Sequence, residues 1–192
     1  MATQVRDTLT ARLIDIYDRT TTPDWPWFEE ILSYDVARLS QALIVTGRES
    51  GNARALEIGM ESLRWLVAVQ TAPQKHFRAI GSNGFYRKGQ AQARFDQQPV
   101  EAYATVSACL EAYRVAQNKF WLEEARSAFE WFLGRNDLGK DLYDPATGGC
   151  GDGLQEDRIS RNQGAESTLA FLVSLAEMNL LESSLAAFRQ PR

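Results

Sequence analysis

Apolar residues recur at three- and four-residue steps through six stretches of the chain, near 7–19, 34–47, 52–71, 99–117, 119–134 and 163–181. That period gathers them on one face of an α-helix, so each stretch predicts an amphipathic helix. No stretch shows the two-residue alternation of a half-buried strand. Gly47 and Gly134 stand where a left-handed C-cap would close the second and fifth helices, and Asn118 where one would close the fourth. The expected fold class is all-α.

The connections alternate in length. Helices two and three, and helices four and five, are joined by a few residues, the usual length between antiparallel neighbours. The other three connections, over 22–33, 72–98 and 135–162, are long. If successive helices run antiparallel, all three long connections fall at one end of the bundle, and loops of that length usually carry function. The helices entered from that end are rich in small residues, as in "EAYATVSACLEAY" and "GAESTLAFLVSLAEM", which permits close packing in an inner layer. "ESLRWLVAVQ" and "WLEEARSAFEWFLG" are bulkier and more charged, as outer helices are. The pattern predicts stacked antiparallel helical hairpins with a repeat of roughly 65 residues, long loop plus hairpin. All of it fits one helical domain over residues 1–192.

Composition narrows the partners. The length of 192 residues and 44% hydrophobic content suit one soluble domain. A formal charge of −4 with no basic block argues against nucleic acid. The N-terminal "MATQVRDTLTARL" carries charges where a secretory signal needs an apolar core, and no apolar run is expected to span a membrane. A cytoplasmic location with no membrane partner is therefore expected. Cys109 falls in a helical pattern and Cys150 in a glycine-rich loop, which suggests no disulfide framework and a structural role for Cys150. His76 is the one histidine, and no cysteine pair has ligand spacing, so neither metal nor cofactor is implied. His76 itself is read as a structural histidine satisfied by hydrogen bonds.

The chemistry sits in the long connections. In "PDWPWFEE", Trp25 and Trp27 lie beside Phe28, Glu29 and Glu30. A pyranose offers an apolar face to an indole and hydroxyls to carboxylates, so this cluster suits sugar recognition. The competing reading is an apolar plug around Pro26 that seals the bundle end. The second connection holds Phe77, Phe85 and Tyr86 and ends in "RFDQQPVEAYA". Pro99 fits a first helical turn, and Asp96 can cap the free amides there with Glu101 assisting. Capping leaves Gln97 and Gln98 unexplained, and their amides match the vicinal hydroxyls of a sugar. The third connection ends in "RNQGAESTLAF", where Asn162 is a natural N-cap beside Gln163, and Glu166 lies one turn into the helix. The positive end of that helix favours ionised Glu166, as a general base or hydroxyl acceptor requires.

Together "WPWFEEILSYDVARLSQAL", "IGSNGFYRKG", "ARFDQQPVEA", "FEWFLGRNDLG", "LYDPATGGCGDGL" and "NQGAESTLAFL" resemble the helical region of the six-hairpin glycosidase-like superfamily. The closest resemblance is to the C-terminal helical region associated with bacterial group 1 glycosyltransferases, and it covers residues 23 to 180. It implies an (α/α)6 toroid with sugar-processing relatives. A full toroid has six hairpins and this chain supplies about three, so it would be the C-terminal half of one. The flanks of its first and last helices would then call for a homo-oligomeric copy or a partner chain that completes the toroid.

Two functions stay open. In the first, the domain processes a carbohydrate or glycoconjugate, with a carboxylate pair flanking a glycosidic bond, one group donating a proton and the other activating water. The candidates are Asp96 as acid, Glu166 as base and Glu29 as third choice, with Trp25, Trp27, Tyr86, Gln97, Gln98, Asn162 and Gln163 orienting the sugar. The resemblance favours an inverting outcome. In the second, the domain is a non-catalytic glycan-binding or assembly module of a glycosyltransferase system. Sugar epimerisation is disfavoured, because that chemistry wants more than one histidine.

Overall fold

A computed structural model describes residues 1–189. Its helices are α1 (Ala2–Thr20), α2 (Ala37–Ser50), α3 (Ala53–Val69), α4 (Pro99–Ala116), α5 (Lys119–Glu130) and α6 (Ala165–Arg189). Two short strands, β1 (Ile31–Leu32) and β2 (Tyr86–Arg87), complete the elements. The chain is thus all-α with antiparallel hairpins, as its periodicity predicts. α2, α4 and α6 form an inner row with α4 in the middle, α3 and α5 back that row, and α1 rests at its edge against α3 and α2. The position of α4 shows in its burial, since 13 of its 18 residues are covered. Ala, Ser and Thr at these positions let helices approach from several sides.

The α2/α3 hairpin closes on two glycines. Gly47 does not cap α2, as its position suggested; the helix runs on to Ser50 and Gly51, at φ 70, takes the left-handed cap. Gly47 instead admits α3, because a Cβ there would lie 2.6 Å from the Leu56 backbone nitrogen. Gly59 returns the contact, with its Cβ position 2.8 Å from the Ile44 nitrogen. Asn118 likewise does not close α4. Gln117 does so at φ 50, and Asn118 accepts from Phe120 N at 3.0 Å as the N-cap of α5. Gly134 is left-handed, φ 88, just beyond α5 as expected.

The three long connections interlock at the end where α2, α4 and α6 begin. β1 pairs antiparallel with β2, with Leu32 opposite Tyr86, which ties the first connection to the second. Gln97 and Leu154 exchange backbone bonds of 3.0 and 2.8 Å, which ties the second to the third. A buried carboxylate fastens the same two connections. Asp137 accepts from Arg78 Nε and Nη2 at 2.7 and 2.6 Å, from Gln97 Nε2 at 2.8 Å, and lies 3.0 Å from His76 Nε2. Burial pushes the Asp137 carboxyl up, but the bonds from Arg78 and His76 and the Arg78 charge prevail and hold it well below the usual carboxylate range. His76 is thus a satisfied structural histidine.

One feature of α6 departs from expectation. Over Ala165–Leu185 it is long and apolar enough by length and composition to cross a bilayer, although 28% of its most apolar stretch is buried. The reason lies in its layer: an inner helix carries small and apolar residues on several faces, and here Ala170, Phe171, Ser174 and Met178 are covered while the opposite side is open.

Candidate active site

The entrances of the three inner helices meet at one corner. α2 begins without a side-chain cap of its own. The two residues that lead into it are held by Glu101 from the first turn of α4, which accepts from Asp35 N at 2.5 Å and Val36 N at 3.3 Å. Glu101 therefore serves its neighbour's N-terminus and not that of α4. Burial raises its carboxyl to about 7, against the opposing pull of those two amides. Asp35 sits in the left-handed region at φ 51, and Arg38 Nε donates to its Oδ1 at 3.2 Å. The Arg38 guanidinium lies 4.2 Å over the Tyr103 ring. Burial raises the Asp35 carboxyl, Arg38 opposes, and the nearby charge of Glu166 adds to the rise. Glu166, exposed in the first turn of α6, accepts from the Tyr34 hydroxyl at 2.7 Å. That bond, with burial behind it, pushes Tyr34 up to about 12.

This corner brings two carboxyls and a phenol hydroxyl together. Asp35 is half-buried, and burial raises its carboxyl, whereas the Glu166 side chain is exposed in the first turn of α6. Tyr34 donates its hydroxyl to Glu166.

Of the residues singled out from sequence, Glu166 belongs to this corner. Asp96 does not cap α4, whose N-cap is Gln98 without a side-chain bond. Its carbonyl accepts from Ser82 N and Oγ at 2.9 and 3.2 Å, and among the described residues its carboxylate shares no hydrogen bond with the corner. Gln97 is fully buried. Its Oε1 accepts from Trp131 Nε1 at 2.9 Å and its Nε2 donates to Asp137 and Arg94 O, which leaves nothing for a sugar. Gln98 is partly exposed.

The tryptophans follow the plug reading. Trp25 is 3% and Trp27 0% exposed, so neither offers an open face for stacking in this chain. Trp25 packs edge-on against Trp65 and Tyr86, with centroids 4.9 and 5.0 Å away, and its Nε1 donates to Glu29 O at 2.8 Å. Tyr86 is therefore part of the plug, while the Glu29 side chain points to solvent. Asn162 is not the cap of α6. Asp152 accepts from Gly164 N at 2.6 Å and also from Asn162 Nδ2. Gln163 accepts from Thr147 Oγ1 at 2.7 Å and donates to Asp144 at 3.2 Å, which braces the third connection. Cys150 is buried, its thiol pushed up to about 12 by burial, in keeping with a structural role.

Tyr34, Asp35, Arg38 and Asp137 escape the sequence reading. "SYDVARL" is the third inner-helix entrance, equivalent in position to the two that drew attention, and that equivalence was the available signal. A cavity of about 840 Å³ between α3 and α5 lies on the outer face, away from this corner. Its arginines are engaged: Arg64 lies 4.8 Å over Phe120, and Arg126 and Arg135 pair with Glu182 and Glu130.

No protein-family model matches the sequence, and no curated protein matches it. Solved structures do resemble it in fold. Against the alpha-1,6-mannanase GH76A from Salegentibacter sp. HEL1_6 the TM-score is 0.60 at 13% identity, over 93% of this chain and 54% of that one. Against the glycoside hydrolase family 76 mannosidase Bt3792 from Bacteroides thetaiotaomicron VPI-5482 it is 0.59 at 13% identity, over 78% and 39%. The fold is a partial (α/α) toroid. The chain spans about half the length of the mannanase and less of the mannosidase. Both are glycoside hydrolases of the six-hairpin class, and the expected kinship with glycosyltransferase-associated regions finds no support in them.

Proposed function

We propose that this chain is a carbohydrate-processing domain acting on α-linked mannose polymers, and that it hydrolyses a glycosidic bond between the carboxyls of Asp35 and Glu166. The observation that carries this reading is the meeting of Tyr34, Asp35, Glu101 and Glu166 at the three inner-helix entrances. Asp35 donates its proton to the leaving oxygen, and Glu166 draws the proton from an attacking water. Tyr34 orients Glu166, and Glu101 holds the Asp35 backbone in place. Asp35 is preferred to Asp96 as the acid because it shares the corner with Glu166. The mannose preference rests on the likeness in fold to a mannanase and a mannosidase.

The test is incubation with α-1,6-linked mannan oligosaccharides, following reducing ends and, by calorimetry, binding. Asp35→Asn and Glu166→Gln are each expected to lower turnover by about 10²–10⁴-fold while binding persists. Proton NMR of the first-formed product reads the stereochemistry. Inversion is expected if a water fits between the two carboxyls, which needs about 6.5–9.5 Å. Binding by the unaltered chain without any turnover would overturn hydrolysis in favour of a glycan-binding module. Absence of both would overturn the mannan assignment.

A further inference from the structure

Most aromatic side chains of this chain are buried in the core or pack against it. Among the described residues, Tyr34, Phe85 and Phe95 do neither. Tyr34 is 50% exposed, and Phe85 and Phe95 are partly exposed. Apolar side chains scattered singly over a surface are ordinary. These three are not scattered, because all belong to the first two long connections and stand beside the Asp35 and Glu166 corner.

The backbone gathers them. β1 and β2 pair Leu32 with Tyr86, so one step beyond the ladder sets Ser33 opposite Phe85, and Tyr34 follows Ser33. With strands about 4.8 Å apart and about 3.4 Å of rise per residue, the Phe85 backbone stands within about 10 Å of that of Tyr34. Phe95 lies on the returning limb of the same loop. Asn83 N donates to Phe95 O at 3.2 Å, and Ala93 N to Phe85 O at 2.8 Å. Gly81 lets the limbs touch, since a Cβ there would fall 2.0 Å from the Phe95 oxygen. Phe85 is left-handed at φ 60, as Asp35 is at φ 51, one on each side of the ladder. A bulky residue keeps that conformation only where its surroundings impose it, and such positions gather at binding sites. Tyr34 joins this loop to the corner, because its hydroxyl is bonded to Glu166 at 2.7 Å while half of its surface stays open.

We infer that Tyr34, Phe85 and Phe95 form an aromatic platform that holds the pyranose next to the one at the Asp35 and Glu166 corner. The inference rests on the reading of that corner as a sugar site and gives it a second subsite, so an oligosaccharide is preferred to a disaccharide. A pyranose lays its apolar C–H face on such rings. Exposed Asn83 at the loop tip and partly exposed Gln98 at its foot supply amides for the hydroxyls at the ring edge. The platform takes the place in sugar binding that the buried Trp25 and Trp27 cannot fill. Phenyl rings carry neither charge nor hydroxyl, so the subsite selects for the face of a neutral sugar.

The experiment is calorimetric titration of the Asp35→Asn chain, in which turnover is held down and the left-handed position is one that asparagine tolerates. The probes are α-1,6-linked mannotetraose, its disaccharide, maltotetraose and cellotetraose, and circular dichroism gives the Tm of every variant. Mannotetraose should bind more tightly than the disaccharide. Phe85→Ser and Phe95→Ser should each weaken the tetrasaccharide about 3–10-fold with little effect on the disaccharide and no change in Tm, and Phe85→Trp should restore the affinity. The same losses with cellotetraose or maltotetraose in place of mannotetraose would uphold the platform and overturn the mannose assignment, and the same losses with an unaltered chain that never cleaves would uphold it and overturn hydrolysis. Three outcomes overturn the platform itself: no tetrasaccharide bound, affinities that the serine variants leave unchanged, or a loss of affinity that follows a fall in Tm and that Phe85→Trp does not repair, which would mark the rings as structural.

Discussion

Asp137→Asn tests whether the buried carboxylate holds the long connections together. Asp137 is 1% exposed at its side chain. Its two oxygens receive Arg78 twice and Gln97 once, with His76 at 3.0 Å. The asparagine has the same shape but turns an NH₂ toward a ring of donors and leaves the Arg78 guanidinium without its counter-charge. Removing one partner of a buried pair costs about 3–5 kcal/mol, a large share of a typical stability of roughly 5–15 kcal/mol. For a domain of this size that corresponds to a fall in Tm on the order of 6–20 °C. Urea unfolding followed by circular dichroism measures it, with Asp157→Asn as control. Asp157 and its partner Arg158 are 73% and 65% exposed, and that change should stay within about 0.5 kcal/mol. The pH arm has a definite sign. The folded carboxyl lies below its unfolded value of about 3.9, so the unfolded chain binds more protons between the two. The contribution of Asp137 is therefore complete above about pH 5 and is lost as pH falls through the folded value. The acid slope of the Asn variant should be shallower. A loss under about 1 kcal/mol at pH 7, or acid profiles that run parallel, refutes the reasoning.

Glu101, raised to about 7 in the folded chain, contributes in the opposite sense: stability falls as pH rises from about 4.5 to 7, and Glu101→Gln should remove that decline, worth about 1–3 kcal/mol, in pH-dependent urea titrations. Trp27→Ala should cost about 3–5 kcal/mol in thermal unfolding, because Trp27 is fully buried; a change under about 1 kcal/mol would return it to a solvent-facing role. Gly59→Ala forces a Cβ to 2.8 Å from the Ile44 nitrogen, and the resulting overpacking should cost about 1–3 kcal/mol in place of the gain that Ala brings to an ordinary helix position.

Helix number, layer and direction follow from the sequence alone, because period and loop length are local properties. A three-and-four-residue repeat fixes which face is buried, and a two-residue turn leaves antiparallel packing as the compact choice. The same locality made "DQQP" and "RNQGAES" visible as helix entrances. It could not show what each side chain would meet. Gln97 reads as a sugar ligand until Trp131 and Asp137, 34 and 40 residues further on, take its amide. Trp25 reads more as wall than plug, and Trp27 equally as either, until Trp65 packs against both. Glu101 reads as a cap for its own helix, yet the amides it meets are those of Asp35 and Val36, which lead into α2 65 and 66 residues earlier. Asp35 gained its place for the same reason, since only packing of the three inner helices sets it beside Glu166 and raises its carboxyl. Burial and pairing are properties of neighbours distant in the chain, and those neighbours exist only once the hairpins have stacked.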